Sequence, residues 1–478
     1  MENNILVIDL STSACKVFVF NLSGRIISQA HRSIPLYHPK PNWVEADARD
    51  WWKLAVECIR EVLEEVDTNS ITAVGMCGLM HALLPVDEKG KPLDRVMLWM
   101  DQRCRPQCDW LQEHAGRLSR ITGRKPSTTV SAPKLRWIVE NRRDVLVKTY
   151  KFMFGKDFIR MKLTGEYATD ISDARGTALL DDQKKQWSYE VLDLIGISKD
   201  KMLPIMDSAD IIGFVTGKAS RETGLRDGTP VVIGASDVQG TFIGINMYTP
   251  GRTCLYMGTA AWIVTCPESG SRDWIGSTAT WGASLNWCKK TCNDSRAFSD
   301  IDKAASKINP ASDGIIFIPH LMGERGPKHN PYAKGVIFGL TLAHTSDHIT
   351  RSVLEGNAYL IRHIIEEYGI DRIGSITAAG GGAKSLLWCK IISSVLNKDM
   401  HVPRVKETTA LGAAIITAVG TGFVDSLEKG AEKWVEISHI IKPDPDIVTV
   451  YNKSYSLYRR IDACMEEFYP EVLIEYGS

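Results

Sequence analysis

Apolar positions open the chain as a block. Ile5, Leu6, Val7 and Ile8 run into Asp9 and Leu10; Ser11, Thr12 and Ser13 interrupt; Val17, Phe18, Val19 and Phe20 resume. A short apolar run bounded by small polar residues reads as a buried strand, and two of them across a tight turn predict a hairpin. Asn21, Leu22, Ser23 and Gly24 form the next turn, before a third strand predicted over 26–33. The pattern returns far downstream. Thr253, Cys254, Leu255, Tyr256 and Met257 lead into Gly258, Thr259 and Ala260, then Trp262, Ile263 and Val264 follow. The two segments are too diverged to call a repeat, but each opens one half of the chain, the second just after Thr249, Pro250 and Gly251.

Between and after these hairpins the period changes. Apolar residues at helical spacing predict helices over 51–66, 134–141, 158–163, 348–368 and 385–396, with Thr345, Ser346 and Asp347 as a cap region. Buried strands are predicted over 71–76, 229–234 and 373–379. Strands alternating with helices predict an α/β protein with a mainly parallel sheet in each half.

The length, 478 residues, exceeds the roughly 250–300 at which one core stops growing, so two large domains are expected. Lys plus Arg and Asp plus Glu each number 57, so the chain lacks the basic excess of a duplex or anionic-membrane binder. The nearest approach to a membrane span, 410–424, is too short and is broken by Gly and Thr. The start has no basic segment, and Asp9 interrupts its apolar run, which disfavours a secretory signal. Eleven dispersed cysteines fit reduced thiols, hence a cytoplasmic location.

No G-x-x-x-x-G-K-[ST] motif occurs, so a P-loop is excluded, and Gly234, Ala235, Ser236, Asp237, Val238 lacks the last glycine of a hydrolase elbow. What remains is three small-residue turns, each after a strand: Ser11-Thr12-Ser13, Gly258-Thr259-Ala260 and Gly380 to Ser385. Such turns present backbone N–H groups to an anion, and hydroxyls add donors. An acid at a strand end, as Asp9 is, suits Mg²⁺ directly or through its waters. Asp237 follows the strand predicted over 229–234, where α/β sheets bind ligands; the alternative is an acid capping the next helix. Taken alone, His81 reads as a partly buried, hydrogen-bonded histidine, Asp101 and Arg103 as a surface ion pair, and Trp43 as a cleft wall or core residue. Cys104/Cys108, Cys288/Cys292 and His344/His348 have no second pair to complete a zinc site. Gly380–Gly382 are not followed by the dinucleotide fingerprint with its downstream acid.

With these residues in place, the chain resembles the FGGY carbohydrate kinases from about Ile5 to about Tyr458. The resemblance rests on Gly335 to Leu340 with His348, Ser352 and Glu355; on Lys134 to Ile138 with Glu140 and Asn141; and on Thr169, Asp170, Ser172, Asp173, Gly176 and Thr177. Phe317-Ile318-Pro319, Gly323-Glu324-Arg325 and Ala410 to Ala414 add to it. It implies two actin- and hexokinase-like (ribonuclease H-like) lobes, 1–247 and 248–478, around a central cleft for nucleotide and sugar. Met80-His81, Trp99-x-Asp101-x-Arg103 and the segment Pro41 to Glu45 are most similar to the xylulokinases.

By that resemblance Asp237 is the proton acceptor and Asp9 the residue beside Mg²⁺. Met80, His81, Trp99, Asp101 and Arg103 join Asp237 at the sugar. Thr12, Ser13, Lys16, Gly258 and Thr259 meet the phosphates, and Gly381, Gly382 and Ala383 border the adenine nucleotide. The chain departs from the family at Ser11, where the turn has glycine, and from xylulokinases at Val238, where they have asparagine; gluconokinases share the Met-His pair. The expected activity is ATP- and Mg²⁺-dependent phosphorylation of a primary hydroxyl, with D-xylulose the leading acceptor. The alternatives are gluconate, ribulose or another sugar or polyol, or a non-catalytic nucleotide-binding regulator on the same fold. A homodimer is expected from the resemblance; nucleic-acid and membrane partners are not.

Overall fold

The computed structural model describes residues 3–269, 272–330 and 332–471. The final segment, 472–478, in which the sequence carries no motif, lies outside the described residues. The chain divides into two compact units, Met1–Gly244 with Thr409–Trp434, and Ile245–Thr408 with Val435–Ser478.

In the first unit the main sheet runs Ile211–Phe214, Pro230–Val232, Ile71–Gly78, Asn4–Leu10, Ala14–Asn21, Ile26–Ser33, with Ala235–Ser236 also paired to Ile71–Gly78. Asn4–Leu10 is buried along its whole length, which is why it reads as a continuous apolar run. The helix Ala48–Glu65, capped by Asp47, buries Trp51, Ala55, Cys58, Ile59 and Val62. These positions recur at the spacing of one helical face, which packs on Ala14–Asn21 and Ile26–Ser33. Burying each of the larger side chains contributes about 1.5–3 kcal/mol.

In the second unit the main sheet runs Asp273–Ser277, Ala261–Thr265, Thr253–Met257, Ile376–Ala379, Met400–Pro403, Ile437–Ile441. Both sheets read antiparallel, antiparallel, parallel, parallel, antiparallel from the meander edge inward. The likeness of the two hairpins therefore extends to the whole topology. It also corrects the expectation of mainly parallel sheets, because both are mixed. The connections at 11–13 and 22–25 are too short for a parallel crossover, which needs a dozen or more residues, so the leading strands form a meander.

The chain returns to the first unit at Thr409, which a division into consecutive lobes at 247/248 does not contain. The helix Thr408–Gly420 is buried on all sides, with Ala410, Leu411, Ala413, Ala414, Ile415 and Ile416 at most 1% exposed. It crosses the helix Asp237–Gly244 at a glycine contact, where a Cβ on Gly412 would lie 1.8 Å from the Gly240 carbonyl oxygen. The Thr241 and Thr409 hydroxyls meet beside it at 2.8 Å. Among the described residues no helix is long and apolar enough to cross a membrane.

Candidate active site

Register places the two candidate carboxylates around one strand end. Asp9 pairs with Cys77, Ala235 also pairs with Cys77, and Ser236 pairs with Gly78, all in parallel sense. Asp9 and Asp237 thus emerge on either side of Ile71–Gly78, at the carboxyl ends where open α/β sheets bind ligands. The turn that brings Asp237 there needs glycine at 234, whose φ is +79° and where a Cβ would lie 2.0 Å from the Met76 carbonyl oxygen.

Asp237 opens the helix Asp237–Gly244, and the Val238 N–H donates to its Oδ1 at 2.8 Å. Burial pushes its carboxyl up to about 7; the charge of Asp9 adds to this, against the Val238 amide and Lys156. Asp9 is buried, with Lys16 Nζ 3.5 Å from Oδ2 and the Cys77 thiol donating to Oδ1 at 3.5 Å. Burial, then Asp9 and Asp237, hold Cys77 well above the usual thiol range, so it stays a thiol. Among the described residues no three His, Cys, Asp or Glu side chains gather as a metal cage. A strand-end carboxylate such as Asp9 suits Mg²⁺, which takes one or two protein oxygens and completes its shell with phosphate oxygens and water.

Beneath Asp237 lies a buried charge network. Lys156 Nζ sits 2.5 Å from Asp170 Oδ1, 3.4 Å from Asp157 Oδ1 and against Asp173. Burial opposes the ammonium charge, but the three carboxylates outweigh it and keep Lys156 protonated. The network grips the turn before Asp237 from both ends. Arg160, paired with Asp157 at 2.8 Å, donates from Nη1 to the Ile233 carbonyl at 2.6 Å. At the other end, the Ser236 N–H donates to Ser172 Oγ at 2.9 Å, and that hydroxyl in turn donates to Asp170. Sequence reasoning singled out Asp170, Ser172 and Asp173 only as part of a family pattern. It missed Lys156, Asp157 and Arg160, because charged residues on a helix ordinarily face solvent.

Met80 and His81 follow the strand Ile71–Gly78, with His81 at φ +64°. Burial, with Lys134 and Arg124 nearby, holds His81 well below the usual histidine range, so the ring is neutral. Its Nδ1 is buried without a hydrogen-bond partner. Lys134 donates to the His81 carbonyl at 2.8 Å, and burial brings its ammonium down to about 7.

Trp99 Nε1 donates to Thr12 Oγ1 at 3.0 Å, which joins two residues expected on different sides of the reaction. Asp101 and Arg103 are not a surface pair: their side chains are 0% and 4% exposed. Asp101 accepts from the Val44 N–H at 2.7 Å and from Arg103 Nε at 2.9 Å and Nη2 at 2.7 Å. Arg103 also reaches Glu45 at 2.6 Å and lies 3.6 Å over the Trp43 ring. Both therefore brace the scaffold around Trp43. The Ser11 hydroxyl closes its own turn, donating to the Ala14 carbonyl at 2.9 Å, and Ser13 at the tip is exposed.

The second unit carries a cavity of about 490 Å³ lined by Gly258 and Thr259 from one turn and Gly381 and Gly382 from another. The structure thus brings together four residues drawn from two distant motifs. Ala383, expected beside them, is 1% exposed and packs in the apolar core instead. It falls within the turn of helix Gly381–Lys384, which packs against the strands Thr253–Met257 and Ile376–Ala379. The walls that sequence reasoning missed include Trp281, Leu285, Phe298 and Asp302. Trp281 stacks on Trp388 at 4.7 Å, and its Nε1 is buried without a partner. Burial raises the Asp302 carboxyl. Their signal was a scatter of aromatic and small residues without any motif. Apolar walls around glycine turns fit a planar heterocycle with an anionic tail.

A family model for the N-terminal domain of FGGY carbohydrate kinases matches residues 4–244, and its C-terminal counterpart matches 270–421. The chain belongs to the FGGY family of carbohydrate kinases. It is 29% identical over 480 residues to a xylulose kinase of Bacillus subtilis, covering 96% of each chain. A gluconokinase of the same organism is 25% identical over 507 residues, covering 99% of this chain and 98% of its own. Among solved structures, a gluconate kinase from Lactobacillus acidophilus superposes with a TM-score of 0.85 at 23% identity, covering 98% of this chain and 100% of its own. The kinase thus has the fold expected of its family.

Proposed function

We propose that this kinase transfers the γ-phosphoryl group of ATP to a sugar primary hydroxyl, with Asp237 as proton acceptor. The observation that carries the reading is a carboxylate across the strand Ile71–Gly78 from Asp9, at the same end of the sheet, with its pKa raised to about 7. Such a group is ionised often enough to accept a proton near neutral pH and basic enough to hold it. As the hydroxyl oxygen forms its bond to phosphorus, its proton passes to Asp237, and the bond from phosphorus to the ADP oxygen breaks. Asp9 is the residue that would hold Mg²⁺, directly or through its waters, and the ion would supply neutralisation of the phosphate charge. Lys16 and the Thr12 hydroxyl contribute donors on the same unit, while the Gly258, Thr259, Gly381 and Gly382 turns of the second unit receive ADP. The neutral His81, with an unpartnered Nδ1, offers a hydrogen bond to a sugar hydroxyl.

D-xylulose, giving the 5-phosphate, is the leading acceptor, supported by the xylulose kinase relatives. Gluconate is the second reading, favoured by the gluconokinase relatives, while Val238 departs from the xylulokinase pattern. ADP release with MgATP across D-xylulose, D-ribulose, gluconate and pentitols decides between them. Strong turnover on D-xylulose supports the first reading, and turnover on gluconate alone replaces it. Nucleotide binding with no turnover on any of these acceptors would favour a regulator.

A further inference from the structure

A second cavity, of about 600 Å³, lies in the first unit on the outer side of the helix Gly155–Thr164. Its floor is apolar, built by Trp52, Phe158 and Met161. Its rim is cationic: Lys89, Lys91, Lys162 and Lys218 all line it, with Arg49 at one side. Arg49 is neutralised by Asp47, with Nη2 2.6 Å from Oδ2. The four lysines have no ion pair among the described residues. Of the carboxylates nearby, Asp87 Oδ1 accepts the backbone N–H groups of Lys89 and Lys91 at 2.9 and 2.8 Å, and Glu222 accepts Trp52 Nε1 at 2.7 Å while its charge also acts on Lys162.

The loop bearing Lys89 and Lys91 is fixed against the helix. Gly90 sits at φ +71°, where a Cβ would lie 2.6 Å from Met161 Cε. Lys162 is half-buried with Nζ 5.4 Å from the Trp52 ring centroid, and burial together with the like charge of Lys218 lowers its pKa against the charge of Glu222. In a chain with no net charge, four unpaired ammonium groups around one concavity repel one another, and a polyanion relieves that repulsion. An apolar floor with a few convergent charged groups is the build of a small-molecule site, and this volume lies in its usual range.

We propose that this pocket binds a small phosphorylated metabolite, its phosphoryl group held by Lys162 and Lys218 and its body over Trp52. The proposal does not rest on the assignment of the sugar acceptor. The test is calorimetric titration of the full chain with inorganic phosphate, pyrophosphate and glucose 6-phosphate, with excess ADP occupying the nucleotide cavity. Glucose serves as the uncharged control. Wild-type protein and a Lys162→Gln/Lys218→Gln variant are compared at about 0.15 M ionic strength. Binding of glucose 6-phosphate more tightly than phosphate or glucose, weakened about tenfold or more in a variant with the wild-type melting curve, is the expected result. Equal binding by wild type and variant, or no binding by wild type at that ionic strength, would overturn it. If the double variant fails to fold, Lys218→Gln alone, at an exposed position, carries the same comparison.

Discussion

The pH dependence of turnover follows directly from the setting of Asp237. Its carboxyl titrates at about 7, pushed up by burial and by Asp9. A proton acceptor must be ionised, so activity is lost as pH falls through that value and is full above it. With a midpoint at about 7, about one-tenth of the enzyme is competent at pH 6 and about nine-tenths at pH 8, so kcat/KM rises about tenfold between them. The assay is ADP release at subsaturating sugar with MgATP held constant, because kcat/KM for the sugar reports the enzyme before sugar binds. Asp9→Asn removes a negative neighbour, so the acid limb moves to lower pH even as the rate falls. A limb near the ordinary carboxylate value of about 4 in the wild type, or one that Asp9→Asn moves upward, would refute the reasoning.

Three further outcomes are expected. Ser172→Ala leaves the Ser236 N–H without its partner, a cost of about 1–3 kcal/mol. Spent on the geometry of Asp237, that lowers kcat about tenfold and leaves KM for ATP unchanged in steady-state kinetics; Ser172→Thr restores part of the rate. Gly382→Ala places a Cβ 2.7 Å from Met257 Cβ, which distorts the cavity wall, so ADP binding by calorimetry weakens while KM for the sugar holds. Glu355→Ala strands Arg351, whose side chain is 6% exposed, and removes the acceptor for Ser312 and Tyr451. Breaking a buried pair in this way costs about 3–5 kcal/mol and appears as an early loss of the second unit in urea unfolding.

What the sequence makes legible is local. Asn4–Leu10, Thr253–Met257 and Ala261–Thr265 form where a short apolar run meets a small-residue turn, and the helix Ser346–Tyr368 forms behind its Thr345 cap. Strand sense is not local: it depends on which strand is reached across a helix, so the mixed sheets were hidden. The return of Thr409–Trp434 to the first unit was hidden too, since the Gly412 contact with Gly240 joins segments far apart in the chain. At the site, Asp9 and Asp237 stand out because each ends a strand. Lys156, Asp157 and Arg160 do not, because only the fold makes a buried network of residues that usually face water. The same holds for Asp101 and Arg103, which read as a surface pair and are buried beside Trp43.

The central claim is that Asp237 takes the proton while nucleotide binding lies elsewhere. Single-turnover transfer from γ-labelled MgATP to the best acceptor, in wild type and Asp237→Asn, tests it most directly. The account predicts a loss of roughly 10²–10⁴ in the transfer rate, with ADP affinity and the melting curve unchanged. Transfer by Asp237→Asn at the wild-type rate would contradict it.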